Sequence, residues 1–220
     1  MARVVETIDP DGCRVLDVSG LPNHGQDSRE PVWWGNALLM FIESMTVLLL
    51  LISYFYIRRN FTEWPPTQPN TIPPQFHPVP DLPVPTVELV MMVLSCGVMY
   101  WTDMGARREQ AARVKVGLLA MLVIALAAVA MRFFELNPAH LKFRWDQNAY
   151  GSIIWVILGT HLTYLLAAAA EFFIMVFWIF RHGLDPKHGL DVTLAGGYWY
   201  WAAATWVACY LVVYVGARVL

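Results

Sequence analysis

Charged residues are scarce in this sequence. Only 15% of its 220 residues are Asp, Glu, Lys or Arg, well below the roughly 25% that is typical of soluble domains. Hydrophobic residues make up 57% of the chain, and its mean hydropathy is +0.46. The net charge of −2 offers no basic surface that would attract nucleic acid. The composition therefore predicts a polytopic membrane protein with no nucleic-acid partner.

Cysteine and metal-binding patterns are also sparse. Cys13, Cys96 and Cys209 lie far apart without C-x-x-C spacing, so neither a disulfide framework nor a thiolate metal site is expected. Hydrolase, zinc-protease and nucleotide-binding motifs do not occur. Of six histidines, His161 alone falls within a predicted membrane helix, and one histidine cannot build a bis-imidazole haem or a multi-histidine copper site. We therefore expect this chain to bind no metal and to carry no redox centre.

The long apolar runs predict an all-α fold, a bundle of five transmembrane helices. The arm 1–31 is acidic and rich in turn formers, with a short strand expected at Cys13 to Val18; it lacks the apolar segment of a secretory signal peptide. Residues 58–85 hold nine prolines, which predict an extended loop that is either a spacer or a partner-binding surface. The predicted helices cover about 32–57, 86–104, 114–134, 150–180 and 197–216.

The distribution of basic residues predicts the orientation. Five spans place the termini on opposite sides of the membrane. With a cytoplasmic N-terminus, nine Lys and Arg residues lie inside and five lie outside, which agrees with the positive-inside rule. The aromatic residues 198–201 are expected to mark one membrane interface. We predict a multi-pass protein of a bacterial plasma membrane with an extracytoplasmic C-terminus.

One acidic residue interrupts the first apolar run. Between Val32 and Ile57, Glu43 is the only Asp, Glu, His, Lys or Arg residue. A charge at mid-bilayer costs from a few to roughly ten kcal/mol or more, depending on the estimate, so Glu43 must be protonated, paired, or directed toward protein or water. It is either a functional carboxyl group or a neutral one that is hydrogen-bonded inside the bundle.

Other polar residues lie in the third and fourth predicted helices. Arg132 and Glu135 are three residues apart, so we expect an ion pair at the membrane interface. Tyr164 follows His161 by about one turn, whereas Glu171 is about three turns further on and does not touch His161 directly. His161 is either a hydrogen-bonded core histidine, or it is connected to the intramembrane carboxyl groups by a chain of water molecules.

Four motifs occur in the order found in subunit III of cytochrome c oxidase. The match spans residues 35–210 and resembles the five-helix form of that family, which lacks the first two helices. The glutamate helix is represented by Gly35, Glu43 and Tyr54, the W-P-P loop by Trp64-Pro65-Pro66, the Y-G-S-x8-H motif by Tyr150-Gly151-Ser152 with His161, and the Y-W-x6-W-x3-Y motif by Tyr198-Trp199 with Trp206 and Tyr210.

The resemblance implies a subunit without catalytic residues in a proton-pumping haem-copper terminal oxidase that transfers electrons from cytochrome c to oxygen. Such a subunit packs against catalytic subunit I with subunit II, which hold the haem and copper, and a larger respiratory supercomplex is a further partner. It also holds phospholipid and supports proton uptake. The implied lipid- or proton-related residues are Glu43, His161, Glu171 and Tyr164, and those that pack against a partner subunit are Gly35, Trp199 and Trp206.

Two departures from the family pattern keep alternatives open. Tyr164 stands where the family has a second histidine, and the segment 199–203 reads W-Y-W-A-A in place of W-H-F-V-D. These differences are compatible with a partner of a quinol oxidase or a nitric oxide reductase. An independent membrane transporter also uses intramembrane carboxyl groups, although inverted repeats are not evident. A purely structural assembly subunit is the third alternative.

Overall fold

The computed structural model describes residues 5–8, 14–17, 30–67, 79–184 and 186–219. Two short strands, β1 (Val5–Ile8) and β2 (Arg14–Asp17), pair antiparallel with Val5 opposite Asp17. The strand predicted at Cys13 to Val18 is therefore confirmed over Arg14–Asp17, and the two end residues lie outside the described part of the chain. The helices are α1 (Pro31–Arg58), α2 (Pro83–Arg107), α3 (Ala111–Glu135), α4 (Pro138–Leu141), α5 (Ala149–His182), α6 (Pro186–Tyr210) and, after a π-helical segment at Leu211–Val215, α7 (Gly216–Val219).

Five helical segments of the described chain are long and apolar enough to cross a membrane. Four are α1, α2, α3 and α5, and the fifth runs from His188 to Val219 through α6, the π-helical segment and α7. This confirms the predicted all-α membrane protein with five spans.

Four of the spans form the packed core of the molecule. Helix α2 lies against α3 and α6, and α5 lies against α3 and α6, which closes a four-helix arrangement. Helix α1 packs on α5 and α6 from outside this group. Within α1, Val47 and Tyr54 are the buried residues. The remaining apolar surface of α1 faces outward, as expected where lipid or another subunit covers a helix.

The contact between α2 and α3 is very close at one point. A methyl group added at Gly117 would overlap with the side chain of Thr102 on α2. The Thr102 hydroxyl donates a hydrogen bond to the Val98 carbonyl oxygen at 2.8 Å. Glycine at 117 therefore lets the two helix backbones approach, as small residues commonly do between membrane helices.

Helices α2, α3 and α6 each begin three or more residues earlier than the sequence pattern predicts, α3 at Ala111 rather than near Val114. Helix α2 starts at Pro83 rather than near Thr86, because a proline in the first turn leaves no intrahelical hydrogen bond unmade. Helix α6 starts at Pro186 rather than near Gly197, so the polar residues that resembled a loop form its first turns. In one of these turns the Thr193 hydroxyl donates to Asp103 at 2.5 Å. The central part of the proline-rich loop, residues 68–78, lies outside the described residues.

Candidate functional site

A fully buried arginine lies at the end of the bundle where α2 begins and α3 ends. Arg132 Nη1 donates to Glu135 Oε2 at 2.5 Å, and Arg132 Nη2 is 2.9 Å from Glu88 Oε2. All three side chains are buried. The predicted pairing of Arg132 with Glu135 is confirmed, but it belongs to a larger group that reaches a second helix. We name Glu88, Arg132, Glu135, His161 and Trp206 the arginine cluster.

His161 joins the arginine cluster from α5. Its Nδ1 lies 3.3 Å from Arg132 Nη2, and its Nε2 lies 3.2 Å from the carbonyl oxygen of Ala202 on α6. A guanidinium group only donates and a carbonyl only accepts, so Nδ1 accepts and Nε2 carries the hydrogen. This assignment follows from the partners and gives a neutral imidazole. His161 is thus hydrogen-bonded within the core of the bundle.

Trp206 covers the cluster from α6. The guanidinium carbon of Arg132 lies 3.6 Å from the centre of the indole ring, a cation–π contact. The His161 ring stacks on the same indole, with ring centres 4.9 Å apart. The arginine cluster therefore connects α2, α3, α5 and α6. Removing one member of a buried ionic group leaves an uncompensated charge, so these contacts fix the relative positions of four helices.

Glu43 occupies a different and more open place between α1, α5 and α6. Its side chain is only partly buried. The Tyr198 hydroxyl donates to Glu43 Oε1 at 3.4 Å, and the Tyr164 hydroxyl donates to the Glu43 backbone carbonyl at 3.4 Å. Both distances exceed those of strong hydrogen bonds. Glu43 Oε2 has no hydrogen-bond partner among the described residues. The carboxyl group is therefore held loosely.

A cavity of about 650 Å³ lies between the same three helices. Asn36, two turns before Glu43 on α1, lines it, and the Asn36 amide donates to the Leu194 carbonyl at 3.1 Å. Two carboxyl groups, those of Glu171 on α5 and Asp191 on α6, also line it. The remaining lining is Val32, Gly35, Ala167, Ala170, Ile174, Met175 and Leu194. We name Glu43, Tyr164, Tyr198 and this cavity the Glu43 cleft.

The predicted polar residues divide between the two sites. Glu43 and Tyr164 are in contact, and Glu171 lines the adjoining cavity. His161 instead belongs to the arginine cluster. Within the described part of the chain, no group of three or more His, Cys, Asp or Glu side chains is arranged to hold a metal ion.

The three residues expected to pack against a partner lie in different surroundings. Trp199 is fully buried and its Nε1 donates to Ser95 Oγ at 2.8 Å. Trp206 is fully buried in the arginine cluster. Both indoles thus make their contacts inside this chain. Gly35 is exposed, and a side-chain carbon there would meet no atom within 4 Å.

Sequence reasoning missed the roles of Glu88 and Tyr198. Tyr198 was expected to mark an interface, but α6 begins at Pro186, so Tyr198 lies well inside the helix and is buried. The sequence does contain a signal for the role of Glu88. It lies near the start of α2, and Arg132 lies near the end of the next, antiparallel helix. A short connection between two such helices brings these positions to the same depth.

Comparison with known proteins gives a match over most of the chain. A family model described as "Cytochrome c oxidase subunit III" matches residues 17–217. The chain is 20% identical over 188 residues to "Cytochrome c oxidase subunit 3" of Cyanidium caldarium, which covers 80% of this chain and 65% of that protein. It is 19% identical over 151 residues to the protein of the same name from Chondrus crispus, covering 69% and 52%. The chain therefore spans less than two thirds of the length of these curated relatives.

Proposed function

The chain belongs to the cytochrome c oxidase subunit III family, and from this premise we propose that it is a subunit of a proton-pumping haem-copper terminal oxidase. In this role it carries no redox centre, stabilises catalytic subunit I beside subunit II, holds phospholipid and supports proton uptake. The haem and copper lie in the partner subunits, and electrons pass from cytochrome c to oxygen. The complex is placed in a bacterial plasma membrane with this chain's N-terminus in the cytoplasm.

The exposed surface of α1 is the observation that carries the proposal. Six of its exposed apolar residues recur at alternating intervals of four and three, the spacing with which one helix packs along another. Gly35 lies three residues before the first of them and continues the same stripe. These side chains are between 41% and 71% exposed in this chain alone. We name this stripe the α1 seam: Leu38, Ile42, Met45, Leu49, Ile52 and Tyr56.

A helix of the catalytic subunit is the proposed partner of the α1 seam. A photoreactive residue at Ile42 should cross-link to the haem-bearing subunit in membranes. The matched control is Leu94 on α2, which is 70% exposed but lies off the seam; it should cross-link to lipid. Equal cross-linking from both positions, or from neither, would contradict the proposed interface.

A phospholipid is the proposed occupant of the Glu43 cleft. The cavity is mostly apolar and ends at two carboxyl groups, Glu171 and Asp191. Carboxylates favour a headgroup with an ammonium group and disfavour an anionic one. Native mass spectrometry of the complex should show one retained phospholipid fewer in Glu171→Gln than in Glu63→Gln, whose carboxyl group is exposed. Unchanged lipid in both variants would oppose this part of the proposal.

The identity of the complex is tested by isolating it through a tagged copy of this chain. Haem a bands with a copper-containing subunit would support cytochrome c oxidase. The substitutions at 164 and 200–203 favour a second candidate, a subunit III-like partner of a quinol oxidase or a nitric oxide reductase. Haem b without copper would support nitric oxide reductase. Isolation of the chain alone, with transport activity, would overturn the oxidase role.

A further inference from the structure

The charges of the arginine cluster do not balance if both acidic residues are ionised. Arg132 contributes one positive charge and faces Glu88 and Glu135. His161 is neutral by its hydrogen bonds. No other Lys or Arg of the described chain forms an ion pair with either glutamate. Two carboxylates would therefore leave an uncompensated negative charge in a site from which solvent is excluded, which is strongly unfavourable.

The two glutamates are bound to Arg132 in different ways. Glu135 Oε2 accepts a short hydrogen bond from Nη1, and Glu135 Oε1 has no partner among the described residues. Glu88 Oε2 is 2.9 Å from Nη2 in an ion-pair contact that does not meet the geometry of a hydrogen bond. Among the described residues, neither oxygen of Glu88 accepts a hydrogen bond, and its side chain is fully buried. A buried carboxylate needs donors, whereas a neutral carboxylic acid tolerates their absence better.

The groups around Glu88 offer no alternative counter-ion. From α3 it meets Arg132 and Glu135, and from α5 the neutral His161 completes the cluster. The buried Cys209 on α6 and Tyr214 in the π-helical segment lie in the surrounding core. Neither of these groups carries a positive charge in any protonation state. Arg218 donates instead to the carbonyl oxygens of Tyr214 and Pro80, both at 2.6 Å.

We propose that Glu88 is a buried proton-binding site, neutral at pH 7, and that Glu135 is the carboxylate that balances Arg132. The cluster then carries no net charge and holds one exchangeable proton. This proton lies at the end of the bundle where α2 begins and α3 ends, away from the Glu43 cleft. The proposal depends on the contacts of this chain alone and stands whatever complex the chain joins.

Infrared difference spectroscopy of the full-length chain in lipid nanodiscs tests the proposal. Relative to wild type at pH 7, Glu88→Gln should lose the carbonyl band of one protonated carboxyl group per chain. Arg132→Met should gain one such band, because Glu135 then loses its counter-ion and takes up a proton. The control Glu109→Gln changes an exposed residue and should alter the carboxylate bands only. An unchanged protonated-carboxyl band in Glu88→Gln would overturn the proposal.

Thermal stability assigns the proton to one of the two glutamates. Glu88→Gln replaces one neutral group by another of the same shape, so its unfolding midpoint at pH 7 should equal or exceed that of wild type. Glu135→Gln removes the carboxylate that accepts a hydrogen bond from Arg132. Glu88 must then ionise without hydrogen-bond donors, so the unfolding midpoint of this variant should fall clearly below that of wild type. The reverse order would place the proton on Glu135 and contradict the assignment.

Discussion

The arginine cluster and the Glu43 cleft are both polar sites inside the membrane, but the protein encloses their side chains to different degrees. In the arginine cluster, four helices surround Arg132, and its closest partners lie 2.5 and 2.9 Å away. In the Glu43 cleft, the two tyrosine hydrogen bonds are 3.4 Å long, and a cavity of about 650 Å³ lies between the same three helices. A closed network fixes helix positions, whereas an open one leaves room for a ligand or for a change of protonation.

The helices that form the two sites also differ in how closely they pack. Helices α2 and α3 meet closely around the cluster, whereas α1 packs on α5 and α6. Substitutions at the cluster should therefore act on folding, and substitutions at the cleft should act on binding and turnover.

Removing the positive charge of the cluster should give the largest loss of stability. Arg132→Met leaves buried carboxyl groups without their counter-ion, and we expect a cost of about 3–5 kcal/mol. The matched control is Arg144→Met, because Arg144 pairs with Asp146 at 3.0 Å where both side chains are exposed; its cost should be about 0–1 kcal/mol. Thermal unfolding in nanodiscs measures both. Equal losses of stability in the two variants would contradict the expected difference between a buried and an exposed ion pair.

A single added methyl group should distinguish the two sides of the bundle. Gly117→Ala places a carbon against Thr102 in the contact of α2 with α3 and should cost about 1–3 kcal/mol through overpacking. Gly35→Ala at the rim of the cleft meets no atom within 4 Å. It should stabilise α1 by up to about 1 kcal/mol, because alanine favours helix over glycine. Comparable unfolding midpoints for the two variants would show that the α2–α3 contact at Gly117 is packed no more tightly than the surface at Gly35.

The parts of the fold that depend on local sequence were predictable. Five apolar runs determine five spans, and the spacing of Arg132 and Glu135 within one helix determines their pairing. Glu43 was recognised because a lone carboxyl group in an apolar run is unfavourable wherever that helix packs.

Features that depend on how one helix lies against another were not predicted. Glu88 reaches Arg132 only because α2 and α3 stand side by side, and His161 turns toward the cluster and away from Glu43 because of the rotation of α5. The early start of α6 was missed because its first turns are polar, and contacts such as that of Thr193 with Asp103 stabilise them. Hydrophobicity patterns do not contain this tertiary information.

Substitutions of Glu43 should affect stability least and function most. Tyr198→Phe removes one long hydrogen bond to Glu43 and should cost no more than about 0.5–1 kcal/mol. Glu43→Gln keeps the shape of the side chain. If Glu43 holds lipid, the Gln variant keeps normal turnover while Glu43→Ala loses lipid and inactivates sooner during turnover. If Glu43 handles protons, Glu43→Gln alone impairs proton uptake.

Initial rate and inactivation half-life of the intact complex decide between these two roles of Glu43. Tyr198→Phe serves as the matched variant, because it changes the same contact without removing the carboxyl group. Wild-type values for both Glu43 variants would mean that the cleft has neither role.

Reaction with a hydrophobic carbodiimide tests the division between the two sites most directly. Such reagents enter from the membrane and modify neutral carboxyl groups that they can reach. Intact membranes are labelled, and peptide mass spectrometry then measures modification at each Asp and Glu. We predict labelling of Glu43, which is partly buried, and none of Glu88 or Glu135, which are enclosed by the bundle. The exposed or half-exposed Asp146 and Asp81 lie outside the membrane spans and should react weakly, because a hydrophobic reagent concentrates in the lipid. Labelling of Glu88 in preference to Glu43 would contradict the account of a closed cluster and an open cleft.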